Sequence, residues 1–374
     1  MTTPGGAPSS GSPQLASLEG WTAVVIATGP EDGMRSALPK ALHPVAGVPM
    51  VQVACDTLRE AGCTQITVLA TSASRDAITA VVGDAKVIEG DLMPHPTGRV
   101  LVHRADMPLV TTDTLLRVAA QHTGSGPVVV LDVLSASDSP EALQVNDRIE
   151  LATAEGILRD RTRRRLMLAG VTLVDPASTF IDATVEVGPD TTILPGVHLQ
   201  GRTTVGRDCR IGPNAVIRDS TVAANVEIGS STIEEATIAE GVTIGPYCHL
   251  RPGAVLEGDV HLGNYVEVKA SRIGARTQVG HFSYIGDSDL GADVNFAAGS
   301  ITANYDEATR TKSRTLIGDG ASIGSGTVLV APVRIGSGAR TAAGSVVTHD
   351  VPDGALVQGV PARVRPGVEG GHST

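Results

Sequence analysis

The stretch IGDGASIGSGTVLVAPVRI, residues 317–335, places an aliphatic side chain at every sixth position. Ile317, Ile323, Leu329 and Ile335 share this spacing, and glycine follows three of them. One aliphatic residue in six, separated by small and polar residues, is typical of a parallel β-helix, whose stacked coils share one continuous core. This repeat therefore predicts the fold of the second half of the chain.

The same spacing recurs upstream of this stretch. It appears at Val205, Ile211 and Ile217, and again at Ile273, Val279 and Ile285. Aromatic residues make up only 2% of the chain, whereas 43 residues are glycine, and a narrow lumen filled by Ile, Val and Leu explains this composition. We expect the β-helix over residues 179–350 and a C-terminal tail over 351–374.

The first half has a different pattern, in which Val/Leu-rich runs alternate with segments of helical spacing. The runs are WTAVVIAT (21–28), QITVLAT (65–71), GRVLVHRADMPLV (98–110) and GPVVVLDVL (126–134), and the helical segments are 50–62, 74–84 and 111–122. This alternation predicts an α/β domain over 21–150 with a mainly parallel sheet. A charged helix at about 152–168 should lie in a linker over 151–178. The Gly/Pro/Ser-rich residues 1–20 should be a disordered tail, because they contain no apolar signal-peptide core.

Net charge and cysteine content limit the kinds of partner and the cellular compartment that we expect. A net charge of −11 argues against a nucleic-acid surface, and the basic run at residues 159–165 is explained as a solvated helix face. No apolar run is long enough to span a bilayer. The four cysteines form no C-x-x-C pair and no disulfide framework, which fits a reducing compartment. We expect a cytoplasmic protein with neither a nucleic-acid nor a membrane partner.

Several polar residues depart from the repeat. His281 follows the inward Val279 by two positions, so it does not fill the core, and Lys269 and Tyr284 occur in neighbouring coils. Arg251, Glu267 and Asn295 lie one or two coils away, so a shared face would bring these side chains to one ligand. Arginine and lysine suit a phosphate, and histidine can take a proton near neutral pH. The alternative is that His281 is a solvent-facing turn residue.

The segment TANYDEATRTKSRT, residues 302–315, has no repeat and is polar. We predict a loop that leaves one coil. Long loops on rigid scaffolds often carry function, and a neutral insertion is the other interpretation.

The segment NYVEVKASRIGARTQVGHFSYIGDSDLGADVNFAAGSITANYD, residues 264–306, closely resembles the acetyltransferase domain of the GlmU family. These are bifunctional glucosamine-1-phosphate N-acetyltransferases and N-acetylglucosamine-1-phosphate uridyltransferases, and the similarity runs from the first strand to VPARV (360–364). The resemblance implies a left-handed β-helix, acetyl-CoA as acetyl donor, and a homotrimer with active sites between subunits.

Family motifs also imply roles for matching positions. His281 would be the general base; Arg251 and Lys269 would bind the sugar phosphate, with either Lys312 or Arg314 as the loop cation; Tyr284 and Asn295 would contact the amino sugar; Ala298, Asn304, Tyr305, Ser325 and Ala343 would line the acetyl-CoA groove. Gly359 stands where the family often has an arginine, and Arg363 or Arg365 are the candidates to replace that arginine on the coenzyme phosphates.

The first domain departs from the family. In ATGPEDGM (27–34), Glu31, Asp32 and Gly33 replace the Gly-Thr-Arg that faces a triphosphate, although Lys40 is kept. Asp106 and Asn146 match the positions that hold Mg²⁺, but the uracil-reading motif is not visible. Residues 110–145 are too few for the family's sugar-binding lobe. Added carboxylates beside a triphosphate oppose its binding. We therefore expect a truncated, degenerate, Rossmann-like nucleotidyltransferase domain. Mg²⁺ is expected only if this domain is still functional.

The sequence thus predicts an acetyl-CoA-dependent N-acetyltransferase that acts on glucosamine 1-phosphate or a closely related phosphorylated amino sugar. Three alternatives stay open: a paralogue that acetylates a different amine, a still bifunctional enzyme, and a non-catalytic trimeric scaffold.

Overall fold

The structure is a computed structural model that describes residues 16–29, 32–90, 99–122, 127–130, 134 and 139–365. The chain divides into two compact units, Met1–Asp160 and Arg161–Thr374. Across these described ranges, no helix has both the length and the apolar character needed to cross a membrane.

Unit 1 is built on a five-stranded parallel sheet. Its strands lie in the order Lys86–Glu89, Gln65–Ala70, Thr22–Ile26, Val100–Arg104 and Val128–Val129. The helices α1 (Met50–Glu60), α2 (Arg75–Thr79) and α3 (Thr112–Gln121) accompany the sheet. Because the strand order reverses beside Thr22–Ile26, a crevice is expected at the carboxyl ends of that strand and of Val100–Arg104. The predicted Rossmann-like sheet is confirmed.

Shorter elements complete unit 1. They are the antiparallel pair Pro44–Val45 and Val48–Pro49 and the 3-10 turns Asp32–Met34, Lys40–Leu42 and Pro140–Ala142.

The core of unit 1 reaches further towards the N-terminus than the sequence indicated. Leu18 is fully buried, and its backbone N–H donates to the carbonyl of Ala61 at 2.7 Å. The predicted disordered tail over 1–20 is therefore wrong for residues 16–20, while 1–15 lie outside the described residues. Trp21, the only tryptophan of the chain, follows directly and is 4% exposed.

Helix α4 (Arg148–Leu168) begins four residues before the predicted Ala152. Its start is fixed by Asp147, whose Oδ1 accepts the backbone N–H groups of Ile149 and Glu150 at 2.8 and 2.9 Å. The first β-helix strand, Thr172–Leu173, already lies inside the predicted linker over 151–178, so this linker is shorter than expected.

Unit 2 is a parallel β-helix with three faces, here called face 1, face 2 and face 3 in the order in which each coil meets them. Face 1 contains Thr172–Leu173, Thr192–Ile193, Arg210–Ile211, Glu227–Ile228, Thr243–Ile244, His261–Leu262, Gln278–Val279, Asn295–Phe296, Ser322–Ile323, Arg340–Thr341, Leu356–Gly359 and Ala362–Val364. Face 2 contains Phe180–Ile181, His198–Gln200, Val216–Arg218, Thr232–Glu234, His249–Leu250, Glu267–Lys269, Tyr284–Gly286, Ile301–Ala303, Val328–Val330 and Val346–Val347. Face 3 contains Glu186–Val187, Thr204–Val205, Thr221–Val222, Thr237–Ile238, Val255–Leu256, Arg272–Ile273, Ser288–Leu290, Thr315–Ile317 and Val333–Ile335.

The lumen holds the aliphatic residues that define the repeat. Ile273, Val279 and Ile285 come from faces 3, 1 and 2, and each is at most 1% exposed. Neighbouring coils place Val279 beside Phe296, which is also fully buried. This phenyl ring is an exception to the expected aliphatic lumen.

The predicted loop over 302–315 is shorter in the structure, because Ile301–Ala303 continues face 2 and Thr315–Ile317 begins face 3. Between them, Tyr305–Asp306 and Thr311–Lys312 pair as an antiparallel hairpin. At the other end, Leu356–Gly359 extends face 1 and pairs with Ala362–Val364. The predicted tail over 351–374 is therefore part of the β-helix up to Val364, and residues 366–374 lie outside the described residues.

Candidate functional site

The turn between face 1 and face 2 aligns residues from successive coils. The pairing of Val279 with Phe296, of Phe296 with Ile323, and of Ile323 with Thr341 fixes the register two residues further on. We call the resulting line of residues the corner column: His281, Ala298, Ser325 and Ala343. Adjacent strands lie ~4.8 Å apart, so three small residues continue directly from the histidine. The structure thus brings together four of the residues singled out in the sequence.

His281 is exposed, and its ring is held by the coil below it. The backbone N–H of Asn264 donates to Nδ1 at 3.2 Å. A Cβ at Gly263 would lie 2.7 Å from Nδ1 and 3.0 Å from Cε1, so the ring occupies space that only glycine leaves open. In the neutral ring this contact places the hydrogen on Nε2. Sequence reasoning missed Gly263 and Asn264, although both lie in the coil that precedes His281.

If His281 is the general base that the family resemblance implies, Gly263→Ala should lower kcat for acetyl transfer by about tenfold or more, because an added methyl group displaces the imidazole and small misplacements of a catalytic group are costly. Gly258→Ala is the matched control, since the nearest atom to its Cβ is the Glu240 carbonyl oxygen at 3.6 Å. Steady-state kinetics and thermal unfolding of both variants test this. Equal kcat values for the two would contradict a positioning role for Gly263.

Face 2, which begins after this corner, carries a row of cations at the far end of its strands. The register aligns Leu250 with Val268 and Val268 with Ile285, so Arg251, Lys269 and Gly286 follow one another on consecutive coils. Val268 is fully buried, and the alternation of side chains along a strand therefore directs Lys269 outwards. Lys269 lies one coil before His281 and Arg251 lies two coils before it.

Tyr284 and Asn304 fill the space over Gly286. A Cβ at Gly286 would overlap the Tyr284 hydroxyl and would lie 2.8 Å from Asn304 Nδ2. Asn304 is 8% exposed and donates this amide to the carboxylate of Asp287. Tyr305, by contrast, is 52% exposed on the hairpin.

The electrostatics of face 2 distinguish the two loop cations. The pKa of Lys269 is lowered, first by the neighbouring amine of Lys312 and then by burial. Arg314 instead donates Nη2 to Asp289 at 2.9 Å, on face 3. Arg251 pairs with Glu267 at 2.9 Å. The structure therefore places Lys312, and not Arg314, beside Lys269, where two amines in contact favour an anion between them.

Asn295 does not share this face. It points outwards from face 1, where the register aligns it with Gln278 and Ser322. Within one chain, the corner that carries His281 lies between Asn295 on face 1 and Tyr284 on face 2. The sequence predicted one shared face for these residues, but the structure places them on two faces.

In unit 1, Asp106 lies at the expected crevice, but its carboxylate is already neutralised. Oδ1 accepts Arg104 Nε at 2.9 Å, and Oδ2 accepts both Arg104 Nη2 and Lys40 Nζ at 2.7 Å. Asn146 Oδ1 lies 3.4 Å from Lys40 Nζ. Burial raises the pKa of Asp106, but the hydrogen bonds from Arg104 and Lys40 outweigh it, so that the pKa lies below its usual value.

The surroundings of Asp106 do not fit Mg²⁺ or a nucleotide. The cavity lined by Thr28, Gly29, Lys40 and Asp106 has a volume of about 10 Å³, room for about one water molecule. A side chain at Gly33 would collide with the backbone carbonyl of Asn146. Glu31 and the side chain of Asp32 lie outside the described residues. Within the part of the chain that the structure describes, no group of three His, Cys, Asp or Glu side chains could hold a metal.

Family models match both units. A MobA-like NTP transferase domain matches residues 23–171, a GMPPB C-terminal domain matches 176–279, and a bacterial transferase hexapeptide model of six repeats matches 314–349. A nucleotidyltransferase-like α/β unit followed by a left-handed β-helix of hexapeptide repeats defines the class of protein: an acyltransferase that uses acetyl-CoA.

Curated relatives identify the family within this class. The chain is 33% identical to the bifunctional protein GlmU of Trichlorobacter lovleyi over 436 residues, which cover 89% of this chain and 94% of that protein. The chain belongs to the GlmU family. The alignment is longer than the 374 residues of this chain, so part of that relative has no counterpart here.

Other matches are partial. GlmU of Synechococcus elongatus is 49% identical over 232 residues, which cover 61% of this chain but only 51% of that protein. The solved Arabidopsis UDP-N-acetylglucosamine acyltransferase is 19% identical, with a TM-score of 0.35, and covers 52% of this chain and 68% of that one. This structural match is too distant to carry an argument.

Proposed function

We propose that the protein transfers an acetyl group from acetyl-CoA to the amine of glucosamine 1-phosphate, or of a closely related phosphorylated amino sugar, and that unit 1 has lost uridyl transfer. The observation that carries this proposal is the junction of the corner column with the cations of face 2. His281 lies at the corner between the column of small residues and face 2, which carries Arg251 and Lys269, and Lys312 lies beside Lys269. A thioester along the column and a phosphate on the cations would meet at the imidazole.

In this reaction the amine nitrogen attacks the acetyl carbonyl carbon, the carbon–sulfur bond breaks, and the sulfur leaves as the thiol. His281 takes the proton from the nitrogen and returns it to the departing sulfur. With the hydrogen on Nε2, the lone pair of the neutral ring that can take a proton is on Nδ1, where it already accepts the Asn264 N–H. The acceptor amine therefore has to displace the Asn264 N–H, or the ring has to exchange tautomers first. Tyr284 on face 2, and Asn295 across the corner, would contact the sugar.

The donor would lie along Ala298, Ser325 and Ala343, whose small side chains leave the corner open. Asn304 and Tyr305 follow the face 2 strand Ile301–Ala303, one coil beyond His281 and at the end of that strand away from the column. Acetyl-CoA is thus consumed as a substrate, and no metal takes part in this transfer as we propose it.

The proposed loss of uridyl transfer rests on Arg104 and on the small space left beside Asp106. Nucleotidyl transfer needs metal charge beside the phosphates. Arg104 and Lys40 satisfy both oxygens of Asp106, and the space beside them, about 10 Å³, has room for about one water molecule. Unit 1 would then serve as a folded appendage.

We further propose that the enzyme is a cytoplasmic homotrimer with a subunit contact near the corner. Tyr247, Tyr265 and Phe282 are 60%, 47% and 66% exposed, and their rings stack at 5.2 and 5.0 Å beside the His281 turn. Exposed aromatic patches of this kind favour an interface. The free, buried cysteines fit a reducing compartment.

Purified protein with acetyl-CoA and glucosamine 1-phosphate tests the acceptor through release of free thiol. We expect thiol release that saturates with glucosamine 1-phosphate and is far slower with glucosamine, which lacks the phosphate. Release only with another amine would support the recruited paralogue, and no release with any amine would support the scaffold. Pyrophosphate release from UTP and N-acetylglucosamine 1-phosphate, if it depended on Asp106, would contradict the loss of uridyl transfer.

A further inference from the structure

Arg104 binds Asp106 through two hydrogen bonds at the carboxyl end of the central strands of unit 1. It is the last residue of the strand Val100–Arg104, and the register places it beside Ile26. Its Nε donates to Asp106 Oδ1 at 2.9 Å, and its Nη2 donates to Oδ2 at 2.7 Å. The planar guanidinium thus contacts both oxygens, which is the strongest way for an arginine to bind a carboxylate.

This cluster carries one positive charge more than the carboxylate requires. Lys40 Nζ already donates to Asp106 Oδ2 at 2.7 Å, and this single ammonium balances the charge of Asp106. The side chains of Lys40 and Asp106 are 7% and 4% exposed, and that of Arg104 is 23% exposed. A guanidinium stays charged throughout the physiological pH range, and burying a charge without an anion of its own is unfavourable. The second cation therefore needs an explanation beyond the neutralisation of Asp106.

The side-chain oxygens of Asp106 and Asn146, which the sequence assigned to a metal ion, already have hydrogen-bond donors. The Asn146 amide is oriented by Nδ2, which donates to the Gln144 carbonyl at 3.2 Å, and its Oδ1 then faces Lys40 Nζ at 3.4 Å. Asp106 Oδ2 accepts from both Lys40 and Arg104, whereas Oδ1 accepts from Arg104. Arg104 thus satisfies Oδ1 and shares Oδ2 with Lys40.

The guanidinium also lies where a nucleotide site would need its cation. Its Nη2 is 3.8 Å from the position that a Cβ on Gly29 would take, so it extends from Asp106 to the loop after the strand Thr22–Ile26. That loop and the end of Val100–Arg104 border the crevice at which the strand order reverses. A metal ion in a crevice of this kind bridges a carboxylate and the phosphates of the ligand. Arg104 provides positive charge at the same place, but from within the chain.

We propose that the Arg104 guanidinium takes the place of a divalent cation at Asp106, and that its removal opens a site for Mg²⁺ or Mn²⁺ on the oxygens of Asp106 and Asn146. A smaller side chain at this position would leave Asp106 Oδ1 without its donor and would make room for a hydrated ion. Mg²⁺ keeps several water ligands and uses one or two carboxylates, so these two side chains are enough. The inference rests on the proposed loss of uridyl transfer and deepens it, but it does not depend on the acetyl acceptor.

Electron paramagnetic resonance of the full chain with Mn²⁺ tests the proposal, because binding broadens the signal of the free ion. Wild type should show no binding that depends on Asp106, whereas Arg104→Ser should bind about one Mn²⁺ per chain. Urea unfolding followed by the fluorescence of Trp21, the only tryptophan, is the second readout. Mg²⁺ should leave the midpoint of wild type unchanged and raise that of Arg104→Ser. At about ten times its Kd, Mg²⁺ should raise the folded-to-unfolded ratio of this variant about tenfold.

Two further variants control the experiment. Arg117→Ser removes the same charge from an exposed position on α3, where Arg117 donates to Thr114 Oγ1 at 2.9 Å, and it should gain no Mn²⁺ site. Arg104→Ser/Asp106→Asn should lose the site that Arg104→Ser gains, because the carboxylate that binds the ion is gone.

Arg104→Gln keeps most of the side-chain length without the charge and should gain a weaker Mn²⁺ site. An Arg104 variant that is unfolded in chelator should regain the native emission of Trp21 when Mg²⁺ is added. The proposal would be overturned by folded Arg104 variants that bind no Mn²⁺, by unfolded ones that Mg²⁺ does not restore, or by wild-type Mn²⁺ binding that depends on Asp106. A missing metal site in the variants would not imply uridyl transfer by wild type, which pyrophosphate release measures separately.

Discussion

Replacing His281 with alanine should lower kcat for acetyl transfer by a factor of about 10²–10⁴, the range that a general base contributes. The amine would then attack the thioester without a group to take its proton. KM for acetyl-CoA should change little, because the small residues of the column, Ala298, Ser325 and Ala343, are untouched. Thiol release at saturating substrates measures this directly.

His261→Ala is the control for that experiment. His261 is also exposed and lies one coil before His281, but on face 1, where its Nδ1 contacts the Thr243 hydroxyl at 2.6 Å. Its replacement should leave kcat within about twofold, since it touches neither the column nor the cations. A His281→Ala enzyme as active as His261→Ala would show that His281 is the solvent-facing turn residue of the alternative interpretation.

Asp106→Asn should destabilise unit 1 by about 3 kcal/mol, because it leaves Lys40 and Arg104 without their shared anion in a buried site. Trp21 is the only tryptophan and lies in this unit, so its fluorescence in urea reports the unfolding of unit 1. Acetyl transfer should persist in the folded variant. In Asp84→Asn, the control, an exposed partner of Arg59 is removed, and little change is expected.

The same carboxylate gives a pH signature. Since the folded-state pKa of Asp106 lies below its unfolded value of about 3.9, its stabilising contribution is complete above that pH and is lost as the pH falls through the folded-state pKa. The stability difference between wild type and Asp106→Asn should therefore shrink below about pH 4. A constant difference down to acid unfolding would contradict the ion-pair role of Asp106.

The six-residue period predicted the β-helix well, because each strand buries one aliphatic residue and these residues recur at a constant spacing in the sequence. Element ends were less predictable. Leu18 is a single apolar residue in a polar segment, and only its contact with Ala61 makes it part of the core. The burial of Val357 was not predictable from the repeat either. The strand after it, Ala362–Val364, runs antiparallel and ends the regular repeat.

The site was predictable where motif residues lie in register, as for His281 and Lys269. The ring-positioning role of Gly263 was not, because it depends on the absence of an atom next to a side chain 18 residues away. The role of Arg104 could be predicted from the sequence. An arginine two residues before a carboxylate that is expected to bind metal can itself neutralise that carboxylate.

The central claim is that the protein acetylates an amino-sugar phosphate and does not add a nucleotide to it. Mass spectrometry of one reaction containing glucosamine 1-phosphate, acetyl-CoA, UTP and Mg²⁺ tests it most directly. We predict that N-acetylglucosamine 1-phosphate accumulates with stoichiometric CoA and that the UTP is unchanged. Formation of UDP-N-acetylglucosamine, or recovery of unacetylated glucosamine 1-phosphate, would contradict this account.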